Sequence, residues 1–143
     1  MEGSTMVTRR EFAAGLAIGA AISFLAGPAL AAQPTVEIVA LPHWPVQSAL
    51  KPVRAFLGTL GTSVKVVELE AESPEGEKRI KAAGLKGHVP ILLLINGSEK
   101  FKRPDGTQVE FKDFPAKADN PLGLNGLWSV ADFEAAVNAA LGK

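Results

Sequence analysis

His88-Val89-Pro90-Ile91-Leu92-Leu93-Leu94-Ile95-Asn96-Gly97 decides the fold of this chain. Five consecutive aliphatic residues, Ile91 to Ile95, predict a strand buried on both faces and central to its sheet. Asn96-Gly97 predicts the tight turn that closes it, because both positions of such a turn favour residues that tolerate positive φ. Upstream, Val36-Glu37-Ile38-Val39-Ala40-Leu41 is a second short run rich in branched apolar residues and predicts a second strand. Pro42-His43-Trp44-Pro45 interrupts that run. Apolar residues then recur at Val46, Leu50, Val53, Leu57 and Leu60, close to helical spacing, with Pro52 inside the helix as a source of irregularity.

Gly58 to Ser63 ends this helix, and Val64 to Leu69 alternates as a strand does. The polar stretch Glu70 to Lys86 contains Glu77 to Ala83, a short exposed helix closed by Gly84, with its acids ahead of its bases as the helix dipole favours. Beyond the Asn96-Gly97 turn lie Ser98 to Lys102, a turn at Pro104-Asp105-Gly106, and a further edge strand at Gln108 to Phe111. Asp113 to Leu127 carries Pro115, Pro121, Gly123 and Gly126 and reads as loop. Ser129 caps a last helix, Asp132 stands at the capping-box position, and Val130, Phe133, Val137 and Leu141 share one face. The predicted order is β-α-β-α-β-β-α, an α/β fold with a mixed central sheet and helices on both faces.

The chain has 143 residues, 15 Lys+Arg against 15 Asp+Glu, and no cysteine. Zero net charge removes a global electrostatic case for nucleic acid. Without cysteine there is no thiolate chemistry, no disulfide and no thiolate-ligated metal. Residues 1–31 read as a leader. Arg9-Arg10 and Phe12 precede an uncharged stretch rich in Ala, Gly, Leu and Ile, and Ala29-Leu30-Ala31 forms a small-x-small cleavage site. This leader resembles a twin-arginine (Tat) signal, which implies a bacterial protein that is periplasmic or secreted. The competing reading is a retained anchor, since Phe12 to Val36 is uncharged for 25 residues, enough to cross a bilayer of about 30 Å. The proline and the Gly/Ala dilution favour cleavage, which leaves residues 32–143 as one domain with no stable membrane insertion.

The mature segment resembles the thioredoxin-like fold. His88 to Gly97 is similar to the stretch in which a cis-proline opens the central hairpin of that family. Val36 to Leu41, the proline-broken loop and the helix with Pro52 are similar to its active-site strand, loop and helix, and the helix after Trp128-Ser129 matches its last one. The resemblance implies a three-layer sandwich. It also places the family's two active-site cysteines on Trp44 and Gln47, so Trp44-Pro45-Val46-Gln47 stands where the redox motif would be. Thiol exchange requires a thiolate, so thiol–disulfide oxidoreductase activity is excluded and the chain is expected to be non-enzymatic.

Two functions fit these residues. In the first, the degenerate active-site groove recognises a protein or peptide partner through Trp44 and Gln47, with Val89 and Pro90 presenting backbone as the family's cis-proline segment does. The competing reading seats Trp44 in the core and makes Pro90 the mere start of a strand. In the second, His43 and His88, brought together by the fold, hold copper or zinc. Two ligands are few for a closed zinc site. Leu122, Leu124, Leu127 and Trp128, in or beside the long loop, either seal the end of the sheet or form an interaction patch. No phosphate loop, nucleophile elbow or zinc-protease helix occurs in the sequence.

Overall fold

The computed structural model describes residues 32–143. The twin arginine, the uncharged stretch up to residue 31 and the cleavage site lie outside the described residues. Within them the chain is mixed α/β. In order, it forms β1 (Thr35–Ala40), α1 (Trp44–Leu60), β2 (Lys65–Glu70), α2 (Pro74–Ala82), β3 (Ile91–Ile95), β4 (Lys100–Lys102), β5 (Gln108–Glu110) and α3 (Val130–Ala140).

β1 lies in the middle of a three-stranded sheet. It pairs in parallel with β2, Val36 opposite Val66, and antiparallel with β3, Val36 opposite Ile95. The central position expected for Ile91–Ile95 therefore belongs to β1. The aliphatic run of β3 is nevertheless enclosed, because its outer edge is taken up by a segment that follows β5. Leu93 N–H donates to the Phe111 carbonyl at 2.9 Å, and Asp113 N–H donates to that of Ile91 at 2.8 Å. A strand with both edges paired and both faces covered reads as continuous apolar sequence wherever it stands in the order. Beyond it, Asn96 and Gly97 both adopt positive φ, at 50° and 82°. Ile95 and Ser98 exchange backbone hydrogen bonds across them, as a two-residue turn requires.

The helices are set by local chemistry. α1 buries Val46, Ala49, Leu50, Val53 and Leu57 and runs continuously through Pro52. It starts two residues earlier than the apolar spacing predicts, with Pro45 in its first turn, where a missing N–H costs nothing. α2 likewise begins at Pro74 rather than near Glu77. Ser73 Oγ accepts from Gly76 N–H at 3.1 Å and donates to the Glu70 carbonyl at 2.7 Å, so one side chain ties the helix start to the end of β2. Arg79 Nε donates to Glu37 on β1 at 2.8 Å and holds the other end.

α3 carries the capping box foreseen at Ser129 and Asp132. Asp132 also accepts two hydrogen bonds from the Arg103 guanidinium, at 2.8 and 2.7 Å. Those bonds outweigh partial burial and hold the Asp132 carboxyl below the usual aspartate range. A carboxyl depressed in the folded state contributes stability that is present above its unfolded pKa, about 3.9, and lost as pH falls through the folded value. Asp132→Asn is therefore expected to flatten the acid limb of the stability curve below about pH 4. Urea melts of parent and variant between pH 2 and 6 measure this, and parallel acid limbs would contradict it.

The core is aromatic at its centre. Phe111 meets the edge of Trp128 at 5.7 Å and of Phe133 at 5.6 Å, and Phe133 in turn meets Phe56 at 6.4 Å. These contacts join the segment after β5, the entry to α3, and α1. α1 packs on α3, α3 on β3, and α2 on β1 and β2. The loop after Asp113 is not slack. Asn120 donates to the carbonyls of Pro115, Ala116 and Leu124 and accepts from the N–H groups of Leu122 and Leu124. One amide side chain thus supplies the partners that the irregular backbone lacks. Among the described residues no helix is long and apolar enough to cross a membrane.

Candidate functional site

Leu41, the first residue past β1, organises the candidate site. Its N–H donates to the Pro90 carbonyl at 3.0 Å and its own carbonyl accepts from Gln47 Nε2 at 2.8 Å. The start of β3 and the first turn of α1 are therefore fixed to the same point at one end of the sheet. His43 occupies the N-cap of α1 without capping it by side chain, and Trp44 is the first residue of the helix. Trp44 and Gln47 lie three residues apart and so share a face of α1. Gln47 spends its amide on the Leu41 carbonyl, which makes it a brace for the loop that carries Trp44.

Trp44 is 67% exposed, against 1% for Trp128. The core reading of Trp44 is thereby excluded, and a large aromatic side chain stands in solvent at the end of the sheet. At Val89 and Pro90 the backbone geometry differs from the one the resemblance implies. The Val89–Pro90 peptide is trans, like every peptide bond among the described residues. This corrects the cis geometry implied by the family resemblance. Val89 is buried, and the Pro90 carbonyl is engaged by Leu41, extending the β1–β3 ladder by one step. A proline at the start of a strand meets these demands as a trans residue, since only its carbonyl is asked to bond. The Pro90 carbonyl is thus taken up by the sheet, and the Val89 side chain is packed into the core.

His43 and His88 are both exposed. Among the described residues no three His, Asp or Glu side chains come close enough to hold a metal ion, so neither histidine has the company of a closed site. His88 instead borders a cleft of about 510 Å³ between α2 and the segment 85–89, floored by Leu41, Ala71, Ile80 and Val89. A smaller cleft of about 210 Å³ lies beside Gln47, between Pro42 and Glu70. Its wall includes Arg54 and Glu68, ion-paired at 2.7 Å.

A third cleft, about 420 Å³, lies between β5 with its continuation to Phe114 and the loop at residues 124–127. The four apolar residues of that loop divide. Trp128 seals the core and donates its indole N–H to the Lys112 and Asp113 carbonyls at 3.1 and 3.2 Å. Leu122, Leu124 and Leu127 remain exposed.

The cleft bordered by His88 is a feature that the sequence reading passed over. Its one sequence signal is the pair Gly84 and Gly87, both at positive φ, which bracket Leu85 and Lys86. They let the connection from α2 to β3 stand off the sheet instead of closing on it. No protein-family model, no curated protein and no solved structure matches the chain.

Proposed function

We propose that the chain is a non-catalytic, thioredoxin-like binding protein that recognises a protein or peptide partner at the end of the sheet marked by Trp44. The carrying observation is the exposure of that side chain. Exposed aromatic residues on a braced framework are the commonest anchors of protein interfaces. With about two thirds of its surface in solvent, an indole of roughly 200 Å² gains on the order of 3 kcal/mol when a partner covers it. That is an affinity factor of about one hundred. The brace matters as much as the ring. Gln47 and Pro90 hold Leu41 from both sides, so the loop carrying Trp44 is ordered before a partner arrives and less entropy is lost on binding.

The thioredoxin-like assignment is supported by the sheet order β2-β1-β3, with a parallel β1–β2 pair joined through α1 and an antiparallel β1–β3 pair. The leader supports a periplasmic or secreted setting. The absence of cysteine supports recognition without thiol chemistry, because the positions that the resemblance assigns to a redox pair hold an indole and an amide. Recognition centres on Trp44 with Gln47 as its brace, backed by Val89 and Pro90.

A photo-crosslinking residue placed at position 44 tests this in cells that make the protein. It is expected to give discrete adducts. The same residue at Ala55, exposed on α1, is expected to give none. Equal adducts at both positions, or none at 44, would contradict the reading.

A further inference from the structure

We infer that the cleft between α2 and the segment 85–89 is a second binding site, for a short zwitterionic peptide with apolar side chains. Its place favours a ligand. Leu41 and Ala71 each stand one residue past the carboxyl ends of the parallel strands β1 and β2, where open α/β sheets take their ligands. Its volume of about 510 Å³ lies within the range of small-molecule sites and suits two or three residues better than one.

The lining defines the chemistry. The floor is apolar: Leu41, Ala71, Ile80 and Val89 are buried, and Leu85 is half-buried. Around it stand five side chains that can carry charge. Glu72 and Glu77 are acidic, and Lys81, Lys86 and His88 are basic. None of the five takes part in any of the four ion pairs among the described residues, although Glu77 and Lys81 stand four apart on α2, a spacing that allows one. Unpaired charges of both signs around an apolar floor can answer a molecule that carries an ammonium, a carboxylate and hydrocarbon between them. A fatty acid would leave the two glutamates unanswered, and an alkylamine would leave the basic groups so. Glu72 and Glu77 take the ammonium; Lys81 and Lys86 take the carboxylate.

This site shares Leu41 and Val89 with the framework behind Trp44 but uses neither the indole of Trp44 nor the amide of Gln47. The probes are trileucine with free termini, N-acetyl-trileucine and trileucine amide, titrated calorimetrically into the purified protein. Free trileucine is expected to bind, and each capped form to bind about tenfold more weakly. Glu77→Lys is expected to erase the difference between free and acetylated peptide, and Lys81→Glu the difference between free peptide and amide. Both positions are exposed, and thermal melts confirm that the variants fold. A dissociation constant weaker than about 1 mM for the free peptide, equal binding of capped and free forms, or unchanged selectivity in both charge variants would overturn the assignment.

Discussion

Replacing Trp128 with alanine is expected to lower the stability of the fold by about 3–5 kcal/mol. The side chain is almost wholly buried, and its loss leaves a cavity at the meeting point of three segments. Phe111 loses its edge contact at 5.7 Å, an interaction of about 0.5–1.5 kcal/mol beyond the area buried. The Lys112 and Asp113 carbonyls lose the indole N–H that both share, and Asp113 already sits at a positive φ of 61°. Those carbonyls belong to the segment that closes the outer edge of β3, so damage spreads from the loop to the sheet. Trp128→Phe keeps most of the hydrocarbon and loses the donor, and is expected to cost less than half as much. Equilibrium urea unfolding measures both, and an alanine variant within about 0.5 kcal/mol of the parent, the range of a neutral surface change, would contradict this view of the core.

Gly76→Ala is expected to cost about 3 kcal/mol, at the upper end of overpacking effects, although alanine is the better helix former. Gly76 is buried in the first turn of α2. A Cβ there runs into the Glu70 carbonyl oxygen and crowds the Ala71 backbone, neither of which is the flexible end of a side chain. To make room, α2 must lift from the end of β2 and break the Ser73 contacts on which its start depends. Gly58→Ala is the control. Gly58 lies within α1 with open space around its Cβ position, and alanine there is expected to stabilise by about 0.5–1 kcal/mol. If both variants are stabilised, α2 does not sit as close to β2 as the structure places it.

Features written in local sequence were legible in advance. The aliphatic runs of β1 and β3, the Asn96-Gly97 turn and the Ser129–Asp132 capping box each depend on neighbours within a few residues, and each stands where the sequence puts it. What depends on the far side of the fold was not legible. Ile91–Ile95 looks central because it is enclosed, but the enclosure comes from Phe111–Asp113, some twenty residues on. α2 starts ahead of its periodic stretch because Ser73 acts through the Glu70 carbonyl as well as through the helix.

The two tryptophans show the limit most clearly. Both follow loops and stand at or just before the start of a helix, yet one is buried and the other stands in water. Trp128 is drawn in by Phe111 and by two carbonyls beyond reach of local pattern. Trp44 begins its helix past the end of the sheet, and only assembly shows that it stays exposed among the described residues. The same holds for Pro90, whose carbonyl is taken by Leu41 from the far end of β1.

The account turns on whether the indole of Trp44 is a recognition surface. The most direct measurement selects tight binders from a library of extended peptides against the parent protein and then titrates them against Trp44→Ala. Recognition at this end of the sheet predicts about a hundredfold loss of affinity, with an unchanged thermal midpoint, since the side chain contributes little to the folded core. Equal affinity for parent and variant, at equal stability, would show that the exposed indole is not what the protein binds with.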